Sequence, residues 1–532
     1  MKKLIGLIVA LFFIAGCGGG SSNSYYSHID NNKVKVNDVE KFCIDMNNFN
    51  CTNSINLTAK KIINAQDRRL IIWVAQDEYN SGKITDDMLN NLANEFLQDG
   101  NDNDIYDWDT NIHGKEWGAD AQNSNSKLIG FDKTIHLALF DFADKYNNSK
   151  YNRVAGFYWK KDNFKTSAVP ASNEKIMVYI NSYIYRKNEK EVYTTLVHEF
   201  THLINFYQRE IKIGIDDATW FKEFLAETTE NLVKDKLNYD TNDRYNQFNG
   251  DNYWPVTKYV DQDIRPYSSV HTFGAFLLRN YGGAKLLHNI SLNPNSNEQA
   301  IIGATNSDFN TILQNFASAY LISNLKDPQL NQIITDTPKD THTFNVGANG
   351  VTIIKIPNSQ STSIKLNLED YKDVYVASIS HSDQEIKVSS PQMQDFRLSN
   401  LNKQNRVFSN KINYKNIVNK VSYFNNIQVK QFLNLKHKKI ANKRLVKLLR
   451  ATNNEKLYKF NYEEPIESQY NSIIYQLDPV NFYNLDEKPK FNSDLNLNKD
   501  GILFTKIGDD LNDEVDINVT MDDKADIVIV AK

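Results

Sequence analysis

Residues 198–202 read His198-Glu199-Phe200-Thr201-His202, an H-E-x-x-H string. On an α-helix, positions i and i+4 share a face. Two imidazoles placed there can hold one Zn2+ ion and leave the glutamate beside a water on that ion. The flanks call for a buried helix. Leu196, Val197, Phe200, Leu203 and Ile204 recur at helical spacing, and no Pro or Gly interrupts Glu191 to Arg209. Between Thr194 and Tyr207, Glu199 stands alone among Asp, Glu, Lys and Arg. A lone carboxylate among apolar neighbours is costly to bury unless something uses it. A solvated surface helix would carry more charge.

A catalytic zinc site needs a third protein ligand and an open position. The extended H-E-x-x-H-x-x-G-x-x-H pattern is absent, because position 205 is Asn and position 208 is Gln. The next carboxylate-bearing segment is Trp220-Phe221-Lys222-Glu223-Phe224-Leu225-Ala226-Glu227. It reads as a second helix with Glu223 and Glu227 one turn apart, reached through a turn around Gly214 to Asp217. On composition alone, Asp216, Asp217 and Glu230 are rival third ligands.

Together these two segments resemble the gluzincins, metallopeptidases whose third zinc ligand is a glutamate. Their second motif is commonly W-L-N-E-G-x-A-E, and this chain has W-F-K-E-F-L-A-E. The resemblance implies His198, His202 and Glu223 as metal ligands. It implies Glu227 as the carboxylate that hydrogen-bonds a ligand histidine and fixes its tautomer. Lys222 and Phe224 depart from the pattern without removing a ligand. The run from Tyr267 to Gly283 resembles a gluzincin helix whose tyrosine faces the developing oxyanion. Tyr267 matches that position, and His271, one turn later, is the alternative donor. Glu199 is the implied general base.

Upstream lie the strand candidate Leu70 to Val74 and the segments Ile112 to Gly118, Val154 to Tyr158 and Ser172 to Asn181. In this order, with the two zinc motifs, they resemble the hyicolysin-type bacterial metallopeptidases over residues 65–325. That implies an α+β fold with a gluzincin, thermolysin-like catalytic core. A β-rich N-terminal subdomain would span residues 46–190 and a helical zinc-binding subdomain residues 191–335. The implied activity is zinc-dependent endopeptidase action on protein or peptide substrates. Two other classes compete. An aminopeptidase would need a site for the substrate amine, and no G-x-M-E-N type segment precedes the zinc helix. A catalytically inactive or zinc-stabilised adhesin, or another binding lipoprotein, has no use for Glu199. The strand in Ile176 to Tyr185 has two readings, an exposed edge able to pair with a peptide or an interior strand.

Lys2-Lys3 precede an apolar stretch, Leu4 to Ala15, that is too short to span a bilayer. It ends in Ile14-Ala15-Gly16-Cys17, which resembles the bacterial lipobox. This implies a signal peptide at residues 1–16 and a lipidated Cys17 opening a flexible tether at residues 17–45. It also implies anchoring to a membrane of the bacterial cell envelope, the outer membrane in particular. The spacing of Cys43 and Cys51 suits a small disulfide loop in an oxidising compartment. Three cysteines exclude a Cys-rich zinc cluster.

A net charge of −4 gives no case for a nucleic-acid partner. Asp99, Asp102, Asp104, Asp107 and Asp109 crowd one stretch without EF-hand spacing. They are compatible with a Ca2+ site or with a solvated loop. Beyond residue 340, strand-like runs such as Val351 to Ile356, Val374 to Ile379, Ile502 to Lys506 and Ile527 to Val530 predict a β-rich accessory region over residues 340–532. Residues 401–450 hold thirteen Lys or Arg and no Asp or Glu, while 451–532 hold seventeen acids against eight bases. The basic block, including a basic helix over Leu433 to Leu449, fits an anionic partner. It also fits the acidic tail packing over it, or a solvated face.

Overall fold

The β-branched and aromatic runs of the first half of the chain pair into one six-stranded sheet. The computed structural model describes residues 30–324, apart from 46–49, 66, 99–103, 235, 251–253, 261–262 and 282, together with strands between residues 341 and 531. The strands are β1 (Val39–Cys43), β2 (Ser54–Ala65), β3 (Arg68–Ala75), β4 (Thr134–Phe140), β5 (Gly156–Tyr158) and β6 (Ile176–Asn181). Their order is β1-β2-β3-β4-β6-β5. The three central strands, β3, β4 and β6, run parallel, while β1, β2 and β5 pair antiparallel.

Both sheet faces are covered, so alternate residues of the central strands enter two different cores. Leu70, Ile72, Val74, Leu137, Leu139, Val178 and Ile180 join the helices. Ile71, Trp73, Phe140, Met177 and Tyr179 join Phe42, Phe142, Phe157 and Trp159 on the opposite face. Strand β1 occupies Val39–Cys43, inside the stretch 17–45 expected as a tether, so that part of it is folded into the sheet. A disulfide joins Cys43 to Cys51, with their Cα atoms 5.6 Å apart.

The sheet edge nearest the helices is β5, and Ile176–Asn181 lies inside the sheet, between β4 and β5. The edge-strand reading of Ile176 to Tyr185 therefore gives way to the interior one. Gly156 is required at this edge. A Cβ there would meet the Tyr179 carbonyl oxygen and Thr195 Cγ2, both at 2.8 Å.

Eight helices matter for the site: α1 (Asp86–Phe96), α2 (Ile105–His113), α3 (Glu189–Asn205), α4 (Thr219–Val233), α5 (Asn242–Gly250), α6 (Arg265–Tyr281), α7 (Gly283–Ser291) and α8 (Phe309–Asn324). The Asn188 side chain caps α3 by accepting from the Glu191 N–H at 3.4 Å, and Glu189 and Glu191 sit in its first turn, where the helix dipole favours acids. Phe200 of α3 packs edge-on against Phe96 of α1, with ring centres 5.0 Å apart. Past Asn205 the chain widens into a π-helical segment, Phe206–Ile213, which Gly214 ends at φ 83°. Mixed strands and helices of this kind make the fold α+β.

His113 joins α2 to two other helices. Its Nδ1 lies 2.8 Å from Ser291 Oγ and its Nε2 2.7 Å from Thr229 Oγ1. Burial, with His288 adding to it, pushes the His113 pKa down to about 3. The unfolded ring titrates near ~6.5. Protons therefore favour the unfolded chain. The stability that rests on a neutral His113 is complete above ~6.5 and is lost as pH falls toward the folded value. Urea unfolding of the wild type and His113→Gln at about pH 7.5 and about pH 5 should show their stability difference shrinking by about 1 kcal/mol per pH unit. Equal differences at both pH values would refute the assignment.

Beyond residue 340 lie β7 (Thr341–Gly347), β8 (Gly350–Ile356), β9 (Gln360–Glu369), β10 (Val374–Ser380), β11 (Ile386–Ser390), β12 (Arg406–Asn410), β13 (Thr505–Lys506), β14 (Glu514–Met521) and β15 (Ala525–Ala531). They form two sheets, β13-β10-β15-β8 and β12-β11-β14-β9-β7. Val530 and Tyr375 pack against the helical core, and Asn310 Nδ2 of α8 donates to Tyr375 Oη at 3.3 Å. Strand Arg406–Asn410 apart, the basic block 401–450 with its expected helix lies outside the described residues, as does Cys17. Among the described residues no helix is long and apolar enough to cross a membrane.

Candidate metal centre

Helical spacing puts His198 and His202 on one face of α3, their rings 4.7 Å apart. Helix α4 returns and brings Glu223 to both. Glu223 Oε2 lies 3.1 Å from His198 Nε2 and 3.6 Å from His202 Nε2. One ligand atom from each of the three lies within 4.8 Å of the others.

The donor set fits a divalent cation. His202 Nε2 is buried without a hydrogen-bond partner. His198 Nδ1 is tied to Glu230 Oε1 at 2.6 Å, so in the neutral ring that nitrogen carries the hydrogen and Nε2 presents its lone pair to Glu223. A lone pair facing a carboxylate at 3.1 Å needs a positive charge between them. Burial opposes charging His198, but its bonds to Glu223 and Glu230 outweigh that and raise its pKa well above the ordinary value. Burial likewise opposes ionising Glu223, yet His202 and His198 hold it down at about 2. A site that draws a proton onto the His198 imidazole while keeping the Glu223 carboxylate ionised has the charge complement that a bound metal replaces.

Glu199 is 4% exposed, and its Oε2 accepts the Tyr158 backbone N–H at 2.7 Å. Burial is the main cause that raises its pKa. The backbone of edge strand β5 thus holds the glutamate of the H-E-x-x-H string. Tyr267 opens α6 at 3% exposure, its ring 6.5 Å from that of His198. Burial and then the charge of Glu223 raise its pKa well above the ordinary value, so the phenol keeps its proton.

A family model for peptidase M30 matches residues 50–319, just over half of the chain. The chain belongs to the peptidase M30 family. It is similar to the neutral metalloprotease ShpI of Staphylococcus hyicus, at 26% identity over 211 residues, covering 38% of this chain and 42% of that protein. The chain thus spans less than half the length of this curated relative. The resemblance to hyicolysin-type metallopeptidases is accordingly shown, and the M30 match includes His198, Glu199, His202, Glu223 and Tyr267.

Within this M30 chain two expected roles are corrected. The carboxylate on His198 is Glu230, not Glu227. Glu227 is fully engaged elsewhere, accepting from Arg244 Nη2 at 2.7 Å and from His271 Nδ1 at 2.9 Å. Helix geometry allows both placements, since a residue seven positions beyond Glu223 returns to within about 20° of its azimuth and one four positions beyond to within about 40°. Nor is His271 an oxyanion donor. It is fully buried, with Asn231 Nδ2 donating to its Nε2 at 2.9 Å and its Nδ1 occupied by Glu227. Of the rival ligands, Asp217 is bound by Arg209 and Asp216 by Lys222 at 2.6 Å, away from the site, while Glu230 holds the far nitrogen of His198. Lys222 also pairs with Glu210 at 2.9 Å, and Lys160 pairs with Glu210 at 3.0 Å.

Asp104 caps α2, while Asp107 and Asp109 are buried within it. Asp109 Oδ2 lies 3.4 Å from Thr201 Oγ1, and Asp99 and Asp102 lie outside the described residues. Among the described residues these aspartates form no metal-holding group.

Replacing the two carboxylates separately tests the corrected geometry. Glu230→Gln should lower metal affinity about 10–100-fold by loosening the His198 ring, whereas Glu227→Gln should lower it several-fold less. Zinc titration against a competing chelator dye reads both, and the reverse ranking would contradict the contact between His198 and Glu230.

Proposed function

We propose that this M30 chain is a zinc-dependent endopeptidase of gluzincin layout, with Glu199 as general base. The carrying observation is the convergence of His198, His202 and Glu223 beside a buried Glu199 that a backbone N–H holds in place. Bound by those three side chains, zinc would lower the pKa of a coordinated water and polarise the scissile carbonyl. Glu199 takes the proton of the attacking water and hands it to the leaving amine. The Tyr158 N–H fixes which oxygen of Glu199 is left for that work. Tyr267, kept as a phenol by its burial, donates to the oxygen of the tetrahedral intermediate.

Strand β5 supplies the way to bind an extended peptide. The Asn181 N–H donates to the Ala155 carbonyl at 2.8 Å, so Ala155 and Phe157 turn their backbones toward β6. Alternation turns those of Gly156 and Tyr158 to the open edge. A substrate strand laid there is held through its backbone beside the metal ligands. The sheet and the helical layer would be the two gluzincin subdomains, and the strands beyond residue 340 an accessory domain. The lipobox-like Ile14 to Cys17 supports a membrane anchor in the bacterial envelope and extracytoplasmic protein substrates. The basic block 401–450 supports an anionic partner.

The test is digestion of a peptide library by the purified protein. Internal cleavage should cease with a zinc chelator and return with added Zn2+. Cleavage indifferent to the chelator, or release of single N-terminal residues only, would overturn the assignment.

A further inference from the structure

The Tyr267 hydroxyl is not alone. Its partner at 2.9 Å is the hydroxyl of Tyr259. The two rings meet edge-on, 6.0 Å apart at 73°, so the polar contact between them runs through the two oxygens. Tyr259 lies in the chain before α6, outside the helices that carry the metal ligands. The local fold there is held by Trp254 Nε1 donating to the Lys258 carbonyl at 3.0 Å and by the Arg265 guanidinium lying 4.1 Å over the Trp254 ring. We propose that Tyr259 is a positioning residue for peptide hydrolysis: its hydroxyl donates to Tyr267 and so turns the single Tyr267 proton toward the metal centre.

The argument is one of proton counting. A phenol has one hydrogen to give and lone pairs to accept with. Two hydroxyls sharing one hydrogen bond have two arrangements. If Tyr267 gives its hydrogen to Tyr259, nothing remains for an oxyanion. If Tyr259 gives, the Tyr267 hydrogen is left for the substrate oxygen. A substrate oxyanion at the metal centre favours the second arrangement, because it draws the Tyr267 hydrogen to itself and leaves the Tyr267 oxygen, 2.9 Å from the Tyr259 hydroxyl, to accept. Accepting a hydrogen bond also polarises the Tyr267 O–H and makes it a stronger donor, as in any hydrogen-bonded chain. Tyr259 then acts only through Tyr267.

The inference rests on Tyr267 being the oxyanion donor, so the experiment separates the two ideas. Wild type, Tyr259→Phe, Tyr267→Phe and the double variant are compared for kcat and KM on a quenched-fluorescence peptide that the wild type cleaves. Zinc content and Tm are measured alongside. Tyr259→Phe keeps the ring and should lower kcat about 3–10-fold, the size of one hydrogen bond, with KM and zinc content unchanged. Tyr267→Phe should lower kcat about 100-fold. The double variant should match Tyr267→Phe alone. An unchanged kcat in Tyr259→Phe, or losses that multiply in the double variant, would overturn the role of Tyr259 and leave that of Tyr267 standing. Wild-type kcat in Tyr267→Phe would instead remove the oxyanion reading and the role of Tyr259 with it.

Discussion

Glu199→Gln should bring peptide cleavage down about 10²–10⁴-fold while the protein keeps its zinc. Glutamine is nearly the same size as glutamate and can occupy the same place beside Tyr158. It cannot take a proton from water or return one to the leaving amine. The proposed metal ligands are His198, His202 and Glu223, so zinc content should stay at the wild-type level. That pairing of results distinguishes a proton-transfer role from a structural one. Near-normal turnover with full zinc would mean that another group is the base. Loss of zinc together with activity would mean that Glu199 belongs to the metal shell.

Arg209→Met should cost about 3–5 kcal/mol of stability, the range expected when one partner of a buried charge pair is removed. Arg209 is 2% exposed and leaves the π-helical segment to clamp the start of α4. Its guanidinium holds both oxygens of Asp217 and donates to the carbonyls of Ser291 at 2.7 Å, Asn293 at 3.1 Å and Asn295 at 2.8 Å. Methionine fills most of the volume and leaves Asp217 charged and unpaired. Adding Asp217→Asn should recover much of the loss, because the cost lies in the stranded charge more than in the missing contact. Urea unfolding measures both variants. A loss below about 1 kcal/mol in Arg209→Met would show that water reaches this pair. The clamp also links stability to the site, since α4 carries Glu223 six residues after Asp217.

The grouping of His198, His202 and Glu223 was legible because helical spacing is local. His198 and His202 on one face, and Glu223 on a returning helix, follow from strings a few residues long. The carboxylate behind His198 was not, because the choice between Glu227 and Glu230 depends on how α3 crosses α4. The available signal was the seven-residue spacing, two helical turns from Glu223. His271 was placed on the right helix, but its azimuth toward Glu227 and Asn231 is a tertiary fact. The edge strand is not legible for a different reason. Gly156–Tyr158 is three residues long and too short to show an alternating pattern, whereas Ile176–Asn181 shows a strand without showing its neighbours. Val39–Cys43 falls inside the expected tether because five residues beside a polar stretch carry little periodicity.

If a peptide pairs with β5 as proposed, the brevity of that strand sets how tightly it can be held. Three residues at about 3.3 Å each give a ladder of roughly 10 Å. The Tyr158 N–H is already committed to Glu199 and Gly156 is buried, so no more than three groups turned away from β6 remain for the proposed substrate strand: the Gly156 N–H, the Gly156 carbonyl and the Tyr158 carbonyl. At about 1 kcal/mol net apiece, such bonds contribute roughly 3 kcal/mol, less than a millimolar affinity requires. Main-chain pairing can therefore orient a peptide but cannot retain it. On the proposed function, residence has to come from side chains or from a metal's hold on the reacting carbonyl, and a folded protein with no loose segment to offer would be a poor substrate.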